Sequence, residues 1–314
     1  MDIGNTPATI AVPHKKNPVV QHFRKYWQLW VMVLPGVLLI LVFNYIPMYG
    51  IQLAFRDFDF SKGLTGGQFV GFKYFKQFFD SPMFAPVLIN TIRISLATIV
   101  FGFFAPILLA LVINQVGSPK TKQILQTTVY LPHFISTVVM VGMIQIFLSP
   151  ETGLLTHLFH LSANTNLMGD SAAFVPVYVI SEIWQHCGWN SIIYLAALAG
   201  VDPQLYESAE MDGASRLKKI IHIDIPAIVP TMVLLLILNM GGVLGAGFDK
   251  IFLMQNNLNL PVSEVISTYV YKIGLLGSQF SYSTAIGLFN TVINFAFLFI
   301  TNQISKKVAN QSLW

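Results

Sequence analysis

Residues 86–116 read PVLINTIRISLATIVFGFFAPILLALVINQV, and Arg93 is the one charged residue in this run. A helix needs roughly 20 mostly apolar residues to cross the hydrocarbon core of a membrane, and this run is longer. Its apolar residues are continuous, whereas they would alternate with polar ones in the ~10-residue strands of a membrane barrel. The stretch therefore predicts a membrane-spanning helix.

The composition of the whole chain excludes several classes of protein. Hydrophobic residues make up 54% of the 314 residues and charged residues 10%, against about 25% charged in an ordinary soluble domain. The mean hydropathy is +0.63. A soluble globule and a disordered chain are both excluded, and the single cysteine, Cys187, excludes a disulfide scaffold. The net charge of +4 does not suggest a nucleic-acid partner. Because the chain is rich in hydrophobic residues and poor in charged ones, its expected surroundings are membrane lipid.

Five further stretches are long and apolar enough to span a membrane. The sequence thus predicts an all-α membrane protein with six transmembrane helices, at about Leu29–Phe55, Pro86–Val116, Ile124–Leu148, Ala172–Ala199, Ala227–Gly247 and Ala285–Ile304. The transmembrane domain is expected over residues 27–305, between an N-terminal tail at 1–26 and a C-terminal tail at 306–314.

The distribution of Lys and Arg predicts the orientation of these spans, because cytoplasmic loops are enriched in both. Of the 18 basic residues, 11 fall on one side: Lys15, Lys16, Arg24, Lys25, Lys120, Lys122, Arg216, Lys218, Lys219, Lys306 and Lys307. Six fall on the other side, among them Lys62, Lys250 and Lys272. Both termini are therefore expected in the cytoplasm, together with the loop between the fourth and fifth spans.

A cluster of polar and aromatic residues interrupts the predicted fourth span. Its members are Glu182, Trp184, Gln185, Trp189, Asn190 and Tyr194. Polar groups at membrane depth usually face the interior of a helix bundle, and sugars are bound by aromatic faces together with hydrogen-bonding side chains. With Arg93, these residues are candidates for a substrate path. Packing of the two tryptophans between helices, and an ion pair between Glu182 and Arg93, remain open as alternatives.

Two smaller features are a pair of histidines and a row of phenylalanines. His157 and His160 suggest a metal site, but no carboxylate or cysteine completes a ligand set, so no metal is expected. In the outer loop, Phe72, Phe75 and Phe79 stand at helical spacing and predict a short helix over Gly71–Phe79. That helix is expected to lie in the membrane interface, where it either packs as a cap on the bundle or docks a partner.

The predicted cytoplasmic loop is the most informative segment of the chain. Residues 201–230 read VDPQLYESAEMDGASRLKKIIHIDIPAIVP. Asp202 and Pro203 are typical of a helix start, and Gly213 suits the left-handed residue that closes a helix. A second short helix is expected over Ala214–Asp224, ending before Pro226. This hairpin either lies on the membrane surface or forms a docking site for another protein.

The spacing of residues in this loop resembles the signature of ATP-binding-cassette (ABC) importer permeases. That pattern reads Glu-Ala-Ala, two residues, Asp-Gly-Ala, then Ile and Pro at a fixed distance. The matching positions here are Glu207, Ala209, Asp212, Gly213, Ala214, Ile223 and Pro226. Ser208 and Ile220 depart from the pattern by small or apolar exchanges. The resemblance implies that residues 201–226 couple this chain to an ATPase.

Other stretches resemble one branch of these permeases, the oligosaccharide permeases typified by lipoprotein-associated permease B. They are YIPMYGIQLAFRDF at 45–58, QTTVYLPHFIS at 126–136 and the run 265–289. The resemblance implies a type I ABC importer permease fold in a bacterial cell membrane. It also implies three kinds of partner: a second homologous permease subunit, two ABC ATPase subunits and an extracellular sugar-binding protein.

The sequence also indicates which subunit uses ATP. No G-x-x-x-x-G-K-[ST] phosphate-binding loop occurs in the chain. The chain is therefore expected to be a transport subunit rather than an enzyme, with no cofactor of its own and with ATP and Mg²⁺ bound by the partner ATPase. The alternative, a stand-alone secondary transporter of a small polar solute, would usually show more spans and internal inverted repeats.

Overall fold

A computed structural model describes residues 25–150, 153, 154, 158, 166–245, 247–309, 312 and 313. The regular elements in these ranges are helices, with two isolated β-bridges beside them. The chain divides into two compact units, Met1–Gln52 and Leu53–Trp314. Most of the predicted N-terminal tail, and both His157 and His160, lie outside the described residues.

The first unit contains one helical segment. The helix α1, Trp27–Ile40, continues through a π-helical segment, Leu41–Tyr45, into the short helix α2, Ile46–Met48. None of the residues in these three segments is buried. An evenly apolar helix of this kind is suited to a lipid environment.

The second unit contains the remaining helices of the described part of the chain. The first five of these in chain order are α3 (Lys73–Phe79), α4 (Phe84–Asn114), α5 (Pro119–Tyr130), α6 (Thr137–Phe147) and α7 (Ser171–Ala199). They are followed by α8 (Pro203–Met211), α9 (Arg216–Lys219), α10 (Ile225–Met240), α11 (Phe248–Met254), α12 (Leu260–Ser263), α13 (Ile266–Tyr271) and α14 (Phe280–Ala309). Further π-helical segments occur at Ile220–Asp224 and Lys272–Leu276.

Four of the described helical stretches are long and apolar enough to cross a membrane. They are Trp27–Phe55, Phe84–Asn114, Arg216–Met240 and Phe280–Lys307, which contain the predicted first, second, fifth and sixth spans in whole or in large part. A bent pair, Pro119–Phe134 with Thr137–Phe147, makes a fifth if it counts as one span. The helix α7 is also long, at 29 residues. It is not among these stretches because its polar residues lower its mean hydropathy.

The predicted third span, Ile124–Leu148, is wrong as a continuous helix. The chain bends by 96° between α5 and α6. A 3₁₀ turn over Leu131–Phe134 contains Pro132, and Ser136 then caps α6 by accepting a hydrogen bond from the Val139 amide at 3.4 Å. Proline removes a helical donor and serine offers a new helix start, so the break follows from residues that the apolar run concealed.

The short helix α3 packs against the bundle through a residue outside the predicted phenylalanine row. Phe78 is buried against Phe84, Tyr282 and Phe289, whereas Phe72 and Phe79 are exposed. The predicted helix is present, but its buried face is a different one. Packing as a cap is the alternative that the structure supports.

The segment between α10 and α14 is folded into the bundle. The Asn90 side chain of α4 donates hydrogen bonds to the carbonyl oxygens of Pro261 and Glu264, at 2.9 and 3.1 Å. The Ile266 amide donates to the Thr91 hydroxyl at 2.9 Å. These bonds satisfy main-chain groups that a broken helical segment would otherwise leave unpaired.

Helices α4 and α7 form the central packing pair, and α5 crosses close to α7. At Gly188 of α7, a methyl group added in place of the glycine hydrogen would lie 1.9 Å from the Val129 carbonyl oxygen of α5. Only glycine permits this approach of the two backbones.

We therefore expect Gly188→Ala to destabilise the folded protein by roughly 1–3 kcal/mol, because the added methyl group has to displace main chain. The thermal unfolding midpoint in detergent should fall. Gly142→Ala, in α6, is the matched control, since nothing lies within 4 Å of the added carbon there. Equal midpoints for the two variants would contradict the tight approach of α5 to α7.

Candidate functional site

The protrusion that begins at Asp202 has the predicted helix start. The Asp202 carboxylate accepts a hydrogen bond from the Gln204 amide at 2.9 Å, and Pro203 occupies the first helical turn. Proline costs nothing there because its missing amide has no helical acceptor. The helix α8 follows as far as Met211.

The elbow after α8 is closed by the main chain. Gly213 has φ +71°, its amide donates to the Glu210 carbonyl at 3.0 Å, and the Ala214 amide donates to the Ala209 carbonyl at 2.9 Å. This pair of bonds is the Schellman arrangement, in which a left-handed residue ends a helix. Nothing lies within 4 Å of a carbon added at Gly213, so the glycine is required by its conformation and not by crowding.

The second arm of the protrusion, which is the helical segment after Gly213, differs from its prediction in where it begins and ends. Ser215 caps α9, which covers only Arg216–Lys219, and the helix then passes through the π-helical segment Ile220–Asp224 into α10. The expected end before Pro226 is wrong. In the π-helical segment the Ile225 amide donates to the Ile220 carbonyl, and this shifted hydrogen-bond ladder places Pro226 in the first turn of α10, where its missing amide is tolerated.

An ion pair ties the two arms together. The Lys219 ammonium lies 2.7 Å from the Glu210 carboxylate. The hydrogen bond and the charge of Lys219 lower the pKa of the Glu210 carboxyl below its usual value. The two arms are therefore joined at the elbow and also partway along their length.

Most of the residues that carried the family resemblance are on the surface of this protrusion. Glu207, Asp212, Gly213 and Pro226 are exposed, while Ala209, Ala214 and Ile223 are half-buried. Met211, at the tip, is 90% exposed. Asp212 occupies the C-cap position through its backbone. The protrusion thus presents two carboxylates and an apolar side chain to its surroundings.

Asp224, at the base of the protrusion, is a residue that the sequence did not single out. Its carboxylate is fully buried. It accepts hydrogen bonds from the Tyr206 hydroxyl at 2.5 Å, from the Gln115 amide at 2.8 Å and from the Asn114 amide at 3.4 Å. The sequence His-Ile-Asp-Ile-Pro at 222–226 gives no sign that the aspartate is buried, so only the fold reveals these partners.

A second polar cluster lies in the middle of α7. The Lys250 ammonium of α11 lies 2.9 Å from the Glu182 carboxylate and 3.5 Å from the Gln185 side-chain oxygen. The Lys250 side chain is only 4% exposed. Arg93 as the partner of Glu182 is therefore wrong, and Lys250, expected among the outer residues, lies buried in α11. The structure pairs Glu182 with Lys250 and leaves Arg93 exposed.

The cluster continues through two histidines to an aromatic ring. His186 lies 3.4 Å from Glu182, and the Nδ1 atoms of His186 and His133 are 3.1 Å apart. The His133 ring stacks on Trp189 at 4.4 Å. Lys250, Glu182, His186, His133 and Trp189 thus form one connected chain of groups.

The other candidate residues lie on different faces of α7 or outside it. A cavity of about 180 Å³ between α4, α7 and α10 is lined by Glu182, His186, Asn190 and Asn239. Trp184 instead lines an apolar groove against α6, and Tyr194 is buried in an apolar cluster with residues of α4. Gln185 is buried and donates to the Ile135 carbonyl at 2.8 Å. Among the residues that the structure describes, no group of three His, Cys, Asp or Glu could hold a metal ion.

Comparison with known proteins assigns the chain to a family. Residues 102–310 match the family described as "Binding-protein-dependent transport system inner membrane component". The chain belongs to this family. Its members are permease subunits of ABC transporters, integral to the membrane, and ATP hydrolysis takes place in separate ATPase subunits.

Similar proteins include two from Bacillus subtilis strain 168. The polygalacturonan/rhamnogalacturonan transport system permease protein YteP is 40% identical over 313 residues, which cover 98% of each chain. Protein LplB is 39% identical and covers 93% of this chain and 92% of its own. The predicted branch of permeases is therefore confirmed.

A solved structure supports the same assignment of fold. A chain in the crystal structure of a bacterial alginate ABC transporter, in complex with an alginate pentasaccharide-bound periplasmic protein, is 36% identical to this one. The match covers 95% of this chain and 100% of that chain, with a TM-score of 0.86. The fold is that of a type I ABC importer permease, and the chain is a transport subunit rather than an enzyme.

The ion pair between Lys250 and Glu182 generates a prediction about stability. Lys250→Met removes the partner of Glu182 and should destabilise the protein by roughly 3 kcal/mol or less, below the range for a fully buried pair, because the Glu182 side chain is 26% exposed. The measurement is thermal unfolding in detergent.

The double variant Lys250→Met with Glu182→Gln should recover part of that loss, because it removes the unpaired charge. Lys62→Met is a control, since the ion pair of Lys62 with Asp59 is exposed and contributes little. If Lys62→Met were as destabilising as Lys250→Met, the buried pair would not be a special feature of the fold.

Proposed function

We propose that this chain is one of two permease halves of an importer for oligosaccharides. In this proposal it pairs with a second homologous permease, and the pair binds two ABC ATPase subunits and receives sugar from an extracellular binding protein. ATP and Mg²⁺ bind to the ATPase subunits. The observation that carries the proposal is the protrusion around Gly213, with its matched residues on an exposed surface.

The substrate class rests on the similar proteins together with the polar cavity. YteP is named for polygalacturonan and rhamnogalacturonan, and the alginate transporter was solved with a pentasaccharide-bound partner. The cavity beside Glu182 and Asn190 offers hydrogen-bonding side chains, which suit the hydroxyl groups of a sugar. We assign Glu182, Gln185, Asn190 and Trp189 to the substrate path. Arg93, Trp184 and Tyr194 stay as further candidates.

We further propose six spans with both termini in the cytoplasm. Under this arrangement α7 crosses the membrane despite its polar stretch, since that stretch faces the bundle interior around Glu182. The bent pair α5 and α6 forms the third span. The basic residues of the protrusion support the cytoplasmic side, while the burial of Lys250 removes one residue from the outer count.

This topology predicts the outcome of a labelling experiment. In a Cys187→Ala background, Lys62→Cys should react with a membrane-impermeant maleimide in cells whose outer barrier is permeable to the reagent. Lys218→Cys should react only after the cell membrane is opened. Both side chains are exposed, so accessibility within the protein does not limit either reaction. The reverse pattern would overturn the orientation.

The protrusion then acts as the coupling element. Closure of the ATPase subunits on ATP would displace α8 and shift the spanning helices between inward-open and outward-open states. In this scheme Gly213 permits the elbow, and Glu207 and Asp212, both exposed, orient the ATPase surface by charge. Ala209 and Ala214 allow its close approach.

Co-purification tests this role. Tagged chain extracted from its native membrane should bring along a second permease and an ATPase. Gly213→Arg should lose the ATPase, because arginine is strained at φ +71° and fills the open space at the elbow. Gly213→Asn is the matched control, since asparagine tolerates a left-handed backbone. Retention of the ATPase by Gly213→Arg, or import of solute by this chain alone without ATP, would contradict the proposal.

A further inference from the structure

Asp224 connects three separate segments of the protein. It closes the π-helical segment that leads into α10, it accepts hydrogen bonds from Asn114 and Gln115 at the end of α4, and it accepts one from Tyr206 of α8. The carboxylate is fully buried. In the described part of the chain, no Lys, Arg or His forms an ion pair with it.

A buried carboxylate without a cation depends on its hydrogen-bond donors. Charged groups taken out of water are costly unless they are paired or hydrogen-bonded, and hydrogen bonds to ions are stronger than those between neutral groups. Asp224 meets this requirement with three neutral donors from two other segments. Moving one of these donors away therefore leaves the buried charge with fewer hydrogen bonds.

Helix α8 has few other attachments to the bundle. None of its residues is buried. Glu210 bonds to Lys219 and Ser208 to the Leu205 carbonyl, so both bonds stay within the protrusion. Beside the bond to Asp224, a cavity of about 340 Å³ is lined by Asn114, Tyr206, Glu210 and Lys219. Tyr206 thus provides a side-chain hydrogen bond from α8 to the helices beneath it.

The protonated state of the Tyr206 hydroxyl favours this bond at physiological pH. Burial, together with the hydrogen bond to Asp224, raises the pKa of the Tyr206 hydroxyl to about 12. The hydroxyl therefore stays protonated and donates to the carboxylate.

We propose that Asp224 and Tyr206 are positioning residues that transmit the movement of α8 to α4 and α10. The inference rests on the proposed coupling role of the protrusion and adds the route by which displacement enters the bundle. A push on α8 reaches Asp224 through Tyr206. Asp224 is part of the helix leading into α10 and holds the end of α4 through Gln115 and Asn114, so both helices are displaced together.

The test uses the complete transporter, reconstituted in lipid vesicles with its partner permease, ATPase subunits and binding protein. Two rates are measured: ATP hydrolysis stimulated by the sugar-loaded binding protein, and sugar uptake. Tyr206→Phe removes one hydroxyl and leaves the ring. We expect it to retain the ATPase in the complex but to lower sugar taken up per ATP hydrolysed by about tenfold, the scale of one hydrogen bond to a charged group.

A matched control exists elsewhere in the chain. Tyr74 donates to Asp57 at 2.5 Å in the outer loop, and Tyr74→Phe removes the same kind of bond away from the protrusion. It should keep the wild-type ratio of uptake to hydrolysis. A purely structural loss would lower both rates in parallel, whereas the inference requires the ratio to fall. Tyr206→Phe combined with Asp224→Asn should lower the ratio no further than the worse single variant, because the two residues act as a unit.

The outcomes separate this inference from the proposed function. If the wild-type chain neither binds the ATPase nor imports sugar with ATP, both fail. If the wild type imports normally and Tyr206→Phe keeps its ratio, or if Tyr74→Phe lowers the ratio equally, the inference alone is overturned. Should Tyr206→Phe fail to assemble, Gln115→Leu tests the link to α4 without touching α8, and an unchanged ratio there overturns the inference.

Discussion

Polar groups inside this bundle have to be satisfied by the protein itself, since neither lipid nor an apolar core offers hydrogen bonds. Two of the buried charged residues in the described part of the chain, Lys250 and Asp224, are therefore held by groups distant in sequence. Lys250 binds Glu182 across 68 residues, and Asp224 binds Gln115 across 109 residues. Because only 10% of the residues are charged, a few such pairs have a large influence on which helices pack beside each other.

The same requirement explains how irregular segments are tolerated within the bundle. Broken helices at membrane depth are stable when their free main-chain groups are bonded by neighbouring elements. Asn90 bonds to two carbonyls of the segment between α10 and α14, and Thr91 accepts from an amide of that segment. The short helices α12 and α13 are thereby fixed against α4, and α11 packs there through Ile251, which shares an apolar cluster with Ile94. In consequence Lys250 is directed at Glu182 and not toward solvent.

The features that the sequence predicted well depend on neighbouring residues, whereas the partners of buried charges, which it did not predict, are distant in sequence. The helix start at Asp202 and the elbow at Gly213 are local, and both have the expected geometry. The long apolar helices follow from hydropathy, which is additive along the chain. The break at Pro132 was hidden because the apolar run continues on both sides of it. The partners of Glu182 and Asp224 are separated from them by many residues, and no periodicity encodes such a choice.

The π-helical segment before α10 gives the proposed coupling route its geometry. The helix continues past Pro226 without a break. Asp224 stands four residues before Ile228 in the sequence, so the two side chains lie on the same face of this helix. Both residues are fully buried. Ile228 belongs to an apolar cluster with residues of α4 and α7, among them Ile107, Leu111, Tyr194 and Leu198. Close-packed clusters of this kind transmit displacement because their side chains have little free volume. Under the proposed coupling, a movement that enters at Asp224 is therefore delivered to α10, α4 and α7 together, and α7 is the helix that carries Glu182 and the polar cavity.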